Sequence, residues 1–198
     1  MPVSAKRQIT RDDIIDMDAY RAVRVEKRRE VAALKAPRRV AVGPVATFYF
    51  ENFETMWLQI HEMLFIERGG EAQIADELAA YNPLVPKGRE LVATVMFEID
   101  DAERRNAILS GLGGVESTIS LQFSGEAVIG QPESDIERTN AQGKTSSVHF
   151  IHFPFTPRQI ALFRTPGIQV MAGIGHPNYG HLAILPEATR IALAADFD

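Results

Sequence analysis

The sequence predicts an α+β fold: a largely antiparallel sheet with helices packed on it and a basic helical N-terminal arm. Three observations carry this. Several apolar stretches have strand length, and the links between them are mostly turn-like rather than long enough for parallel crossovers. The hydrophobic period switches to 3.6 in a few segments, most clearly in "ETMWLQIHEMLFIERGG". Positive charge gathers in residues 20–39, "YRAVRVEKRREVAALKAPRR". The expected organisation is an arm over 1–37 and a single α+β domain over 38–198.

The elements follow in order. Thr10 with Asp12 and Asp13 reads as a helix cap with early acids, leading into a short turn through Ile14 and Ile15. A basic helix runs from about 18 to 35 on Tyr20, Val23, Val31 and Leu34, and Pro37 ends it. "RVAVGPVATFYFEN" is extended and broken at Gly43-Pro44. A helix over 54–68 stops at Gly69-Gly70, and a second over 71–80 stops at "YNPLVPKG".

"ELVATVMFEI" is a strand, and "DDAERRNAILSGLGG" is a short helix with a glycine stop. "VESTISLQF" alternates, with Val115, Ile119, Leu121 and Phe123 set against Glu116, Thr118, Ser120 and Gln122. That pattern predicts a strand with one wet face, paired to "GEAVIG" through Ser124-Gly125. "QPESDIERTNAQGKTS" is a polar loop and "SSVHFIHFPF" a strand. Thr156-Pro157 starts a helix. "GIQVMAGIG" is a strand, "HPNYGH" a turn, "HLAIL" a short strand and "PEATRIALAAD" a last helix.

Composition narrows the function. The chain has 198 residues, ordinary hydrophobic and charged content, and no cysteine. Without cysteine it has no disulfide, thiolate nucleophile, thiolate-held iron–sulfur cluster or cysteine zinc site. No apolar run approaches the ~20 residues that span a bilayer. The charged N-terminus lacks the apolar core of a signal peptide. The expected location is the cytoplasm.

The net charge is −5, from 21 basic and 26 acidic side chains. Residues 20–39 hold eight Lys/Arg and two Glu, a local +6, which leaves the rest at −11. This asymmetry makes Arg21, Arg24, Arg28 and Arg29 candidate interaction residues for an acidic partner or a second copy of the chain. The plainer reading is a solvated helix with internal ion pairs. One basic helix on an acidic chain argues against nucleic acid.

The metal-ligating candidates are Glu67, His61, His149, His152, His176 and His181, not all together. His149 and His152 are three apart in a strand, so they face opposite sides and cannot chelate one ion. Each is more simply a hydrogen-bonded core histidine. His176 and His181 flank a turn with Tyr179 between them. Two imidazoles with a carboxylate would suit iron, manganese or zinc. On a regular helix Glu67 falls in the apolar stripe of Met56, Ile60, Met63 and Leu64, where it must be paired, protonated or bound to a cation; if instead the helix frays at Gly69, the side chain escapes to water. His61 and Arg68 lie at the edge of that stripe, and Glu62 points away into solvent. No dinucleotide fingerprint, phosphate loop or nucleophile elbow is present, and no cofactor is evident.

Several segments together resemble a known family: "ITRDDI", "RRVAVGP…TFYFEN", "QIHEMLFIER", "ELAAYNPLVP", "GKTSSVHFIHFPFTPRQI" and "GHPNYGH…LPEATRIAL". The chain resembles, nearly end to end, an uncharacterised bacterial domain-of-unknown-function family numbered thirty-five-oh-one. The resemblance implies a genomic neighbourhood of rubrerythrin-like diiron proteins and iron–sulfur proteins, and hence a role around peroxide defence or electron transfer. It supplies no catalytic residues. The expected function is a soluble accessory or interaction protein of such a redox system. The alternative is a metal-binding protein or metalloenzyme with a His/Glu site.

Overall fold

The computed structural model describes residues 6–133, 139–140 and 143–198. A 3-10 turn at Arg11–Asp13 leads into α1 (Met17–Lys35). Next come β1 (Arg39–Val42) and β2 (Ala46–Phe50), then α2 (Phe53–Glu67) and α3 (Glu71–Tyr81). They are followed by β3 (Glu90–Phe97), α4 (Ala102–Ser110), β4 (Ile119–Phe123), β5 (Glu126–Ile129) and the two-residue β6 (Gln131–Pro132). The chain closes with β7 (Val148–Pro154), α5 (Pro157–Phe163), β8 (Val170–His176), β9 (Tyr179–Ile184) and α6 (Glu187–Ala194).

The fold is α+β, but its strands form two sheets rather than one. The first has the order β1-β2-β3-β7-β6 and the second β5-β4-β8-β9. Every pairing between these strands is antiparallel. Alternation puts the two faces of the first sheet in different surroundings. In β7, His149, Ile151 and Phe153 are buried while Val148, Phe150 and His152 are half-buried. The buried set joins Phe48, Phe50, Val95 and Phe97 of the first sheet and Ile119, Leu121, Phe123, Ala172 and Ile174 of the second in one core. The other face of the first sheet meets the helices. There Val92 packs with Met56, Ile60, Leu64, Ile74 and Leu84, and with Ile9 and Ile14 from the N-terminal segment.

The helices start where their caps dictate. Asp16 accepts from the Asp18 and Ala19 N–H groups at α1, Asn52 caps α2 and Thr156 caps α5. The helix α2 ends because Arg68 takes a left-handed conformation, φ 58°. The N-terminal segment does not stand off as an arm: Ile9, Ile14, Tyr20 and Val31 are buried.

Other local expectations shift. Val115–Thr118 is a 3-10 turn, so the strand begins only at Ile119, and Ser120, expected in water, is buried. The turn expected over 176–181 shrinks, because Tyr179 and Gly180 already pair with β8. The polar loop opens with β6, which pairs with β7; residues 134–138 and 141–142 of that loop lie outside the described residues.

Candidate functional site

The main polar assembly at the helical layer joins α1 to α2 at Glu62. Tyr20 is buried, and its hydroxyl donates to Glu62 Oε1 at 2.6 Å. Arg24, one turn on, donates from Nε and Nη2 to the two carboxylate oxygens, both at 2.8 Å. Arg28 Nε stands 4.0 Å away. Glu62 is therefore not solvated, as its position on the helix suggested, because α1 lies along the face that it occupies. The Arg24 hydrogen bonds hold its carboxyl below the ordinary range. Burial, then the bond to Glu62, pushes the Tyr20 phenol up. The Arg24 guanidinium also lies 4.7 Å from the Phe65 ring centre, a cation–π contact.

The four arginines thus divide. Arg24 is an internal fastener. Arg21, Arg28 and Arg29 are exposed on α1, Arg21 with an i,i+3 contact to Asp18 at 2.9 Å. Val25 stands among them at 73% exposure. This side of α1 is cationic around an exposed valine and borders α2, since Arg21 Cζ lies 5.7 Å from the Phe65 ring centre and Arg28 Nε 4.0 Å from Glu62; Glu26 and Glu30 are exposed on the same helix.

The histidines are distributed. His61 is wholly buried in the apolar stripe rather than at its edge. Its Nδ1–H donates to the Trp57 carbonyl at 2.7 Å and its Nε2 accepts from the Ile15 N–H at 3.2 Å. Both nitrogens of a neutral ring are used, and burial lowers its pKa. Glu67 is exposed, the outcome expected if the helix ends near Gly69 rather than the one in the apolar stripe: α2 ends there, and Gln73 Nε2 donates to its Oε2 at 2.7 Å.

His149 and His152 lie on opposite faces of β7. His149, between the sheets, bonds the Ser146 carbonyl through Nε2 at 2.9 Å, and Glu116 Oε2 lies 4.0 Å from its Nδ1. His152 sits on the helical side between two carboxylates. Glu90 Oε2 is 3.0 Å from Nδ1 and Glu133 Oε1 is 3.6 Å from Nε2. The hydrogen bond to Glu90 raises its pKa.

His176 and His181 do not converge. His176 accepts from the Asn178 N–H and contacts the Gly113 carbonyl. His181 turns inward beside Tyr179, ring centres 4.3 Å apart. Its Nδ1 is buried and makes no hydrogen bond among the described residues. Among the described residues no three His, Asp or Glu are gathered as a metal ion would need.

The carboxylates at these contacts, Glu62, Glu90 and Glu133, were not singled out by the sequence as site residues, nor was the buried Glu51. The Glu62 cluster has a sequence signal, since Tyr20 and Arg24 share a helix face at i,i+4. Glu51 has a weaker one: Tyr49 and Glu51 lie on one side of a strand, and the acid closes an apolar run. Its side chain is 4% exposed.

The two-sheet α+β architecture with its helical layer is that of a family of proteins of unknown function. The chain belongs to the family described as "Protein of unknown function (DUF3501)", whose model matches residues 8–197. It is similar to a solved structure, the "novel protein of unknown function" from Burkholderia pseudomallei K96243. That likeness has 36% sequence identity and a TM-score of 0.89, and covers 96% of this chain and all of the other. No curated protein matches the chain. Among the described residues, no helix is long and apolar enough to cross a membrane.

Proposed function

We propose that this protein is a docking accessory that engages an acidic redox protein through the exposed side of α1 around Val25, in the cytoplasm. The carrying observation is the division of the arginines. Glu62 fastens Tyr20 and Arg24 inward, which anchors α1 to α2 while Arg21, Arg28 and Arg29 surround the exposed Val25. An anchored cationic patch around an exposed valine suits an acidic, amphipathic surface, with charge guiding the encounter. The setting comes from the family resemblance, which points to a rubrerythrin-like diiron protein or an iron–sulfur protein as the partner. The cofactor of such a system would reside in the partner, because this chain has no cysteine to ligate a cluster.

The test measures binding of purified partners to the native chain and to the Arg21→Glu, Arg28→Glu, Arg29→Glu variant. Binding lost in the variant, and weakened as ionic strength rises from about 0.1 M to about 1 M, supports the reading, since the Debye length falls from ~10 to ~3 Å. Binding that is equal in both refutes it.

The rival reading, a metal-binding protein for iron, manganese or zinc, has its best footing at His152. The two carboxylates there face opposite ring nitrogens, an arrangement that suits an imidazolium better than a metal ion, which takes one lone pair. Elemental analysis of the purified protein separates the two readings.

A further inference from the structure

Between the helical layer and the first sheet lies a cavity of ≈ 320 Å³. Its apolar walls are Tyr49, Met96 and Phe150 from the sheet, Met56 from α2 and Tyr81 at the end of α3. Two charged side chains reach it, Glu51 and Lys35.

Glu51 is held in place from several directions. Its N–H donates to the Val92 carbonyl at 2.8 Å, and its own carbonyl accepts from Arg38 Nη2 at 3.0 Å. Its Oε1 accepts from the Thr94 hydroxyl at 2.7 Å. Its Oε2 is buried, with no hydrogen-bond partner among the described residues. A buried acceptor without a donor is costly; Oε2 is covered in this structure, so a donor from outside the chain reaches it through a small shift of the Glu51 side chain, which lines the cavity. Lys35, the last residue of α1, is half-buried and makes no hydrogen bond or ion pair among the described residues.

The geometry points to this cavity as a binding site for a small zwitterion of the amino-acid type with an apolar or aromatic side chain. Its ammonium group donates to Glu51 Oε2, its carboxylate meets Lys35, and its side chain packs on the tyrosine, methionine and phenylalanine walls. A simple amine would satisfy Glu51 but be repelled by Lys35, and a simple acid the reverse. A zwitterion meets both. The volume lies at the low end of small-molecule sites, about 300–1,000 Å³, which suits one compact ligand. The aromatic rings add cation–π attraction for an ammonium group.

The experiment titrates the full chain by calorimetry and thermal shift with L-phenylalanine, L-leucine, phenethylamine and N-acetyl-L-phenylalanine. The expected result is saturable binding of at least one of the two amino acids. N-acetyl-L-phenylalanine, which has no ammonium group, should bind at least about tenfold more weakly than L-phenylalanine. Phenethylamine should also bind more weakly, and Lys35→Ala should remove its disadvantage. Glu51→Gln should weaken amino-acid binding at least about tenfold. Met96→Trp, which fills the cavity and leaves Glu51 untouched, should abolish binding in a folded protein and so guards against a misfolded Glu51 variant. The proposal is overturned if neither amino acid binds at millimolar concentration. It is equally overturned if the acetylated probe binds as well as the free amino acid, or if folded Glu51→Gln or Met96→Trp protein binds undiminished.

Discussion

Tyr179 stands over Gly43, at the point where the second sheet meets the β1–β2 turn. A Cβ on Gly43 would come within 2.7 Å of the Tyr179 hydroxyl and 2.6 Å of His181 Cγ. The same hydroxyl donates to the Val42 carbonyl at 2.8 Å and accepts from the Val45 and Ala46 N–H groups, both at 3.0 Å. One phenol thus satisfies three backbone groups of the other sheet's turn. Tyr179→Phe should cost about 1–3 kcal/mol, since buried backbone groups lose their partner. Gly43→Ala should cost at least about 1 kcal/mol, because Gly43 also has φ 72°. Urea denaturation of both variants is the check. An unchanged midpoint for either would mean that the turn is held by other contacts.

Arg24 and its neighbours on α1 should respond differently to charge reversal. Arg21 and Arg29 are exposed and away from Glu62, so reversing each should disturb stability by about ±0.5 kcal/mol or less, whereas Arg28, 4.0 Å from Glu62, should cost more than either but less than Arg24. Arg24→Glu places a second carboxylate against Glu62 and leaves the Tyr20–Glu62 pair without its cation. It should cost at least about 2 kcal/mol, since hydrogen bonds to charged groups carry about 1.5–3 kcal/mol. Thermal unfolding of the four single variants separates a docking face from a structural fastener. Equal losses in all four would contradict the division.

His152 predicts a pH dependence. Its pKa is raised above the ordinary 6.5, first by the Glu90 hydrogen bond and further by Glu133. A raised pKa means that the folded state holds the proton more tightly than the unfolded chain does. The stabilisation is fully present below about 6.5 and disappears as pH rises through the higher folded value. His152→Gln should therefore cost more stability at pH 5.5–6 than at pH 8–9, with a loss at low pH of about 1.5–3 kcal/mol for charged hydrogen bonds. Denaturation curves at the two pH values read this directly. A variant whose deficit is the same at both would show that the imidazolium is not the stabilising form.

Much of the fold was legible in local pattern. The helix start at Thr156-Pro157, the stop near Gly69-Gly70 and the strand alternation around His149 and His152 are short-range, and each lies within a few residues of its cause. The division into two sheets was not legible, because it depends on which strand pairs with which over long separations. The site was less legible still. The sequence left Glu67 open between the apolar stripe and water, because a helical wheel does not show where the helix ends; the left-handed Arg68 decides for solvent. Glu62 seemed solvated because nothing in α2 alone reveals that Tyr20 and Arg24 cover it. Glu51 was overlooked because its lack of a hydrogen-bond donor is a property of the assembled cavity, not of the strand that carries it.

The last prediction concerns the pair that holds the C-terminal segment to β2 beside Glu51. Arg38 and Asp196 are both buried and form an ion pair. Arg38 also donates to the carbonyls of Phe50, Glu51 and Ala192, at 3.0, 3.0 and 3.2 Å. Burial pushes the Asp196 carboxyl up, against the pull of Arg38. Removing one member of such a pair strands the other, at a cost of about 3–5 kcal/mol. Asp196→Ala should approach that range. Asp196→Asn should cost less, because an amide oxygen still accepts from Arg38 and three carbonyls already share the guanidinium. Arg38→Met should be as damaging as Asp196→Ala. It should also weaken amino-acid binding at Glu51, because it removes the donor that fixes the Glu51 carbonyl. Denaturant unfolding orders the three variants, and titration with L-phenylalanine tests the coupling. If Asp196→Asn proves as costly as Asp196→Ala, charge rather than hydrogen bonding holds the segment. Unweakened binding in folded Arg38→Met protein would show that Glu51 keeps its position without that support.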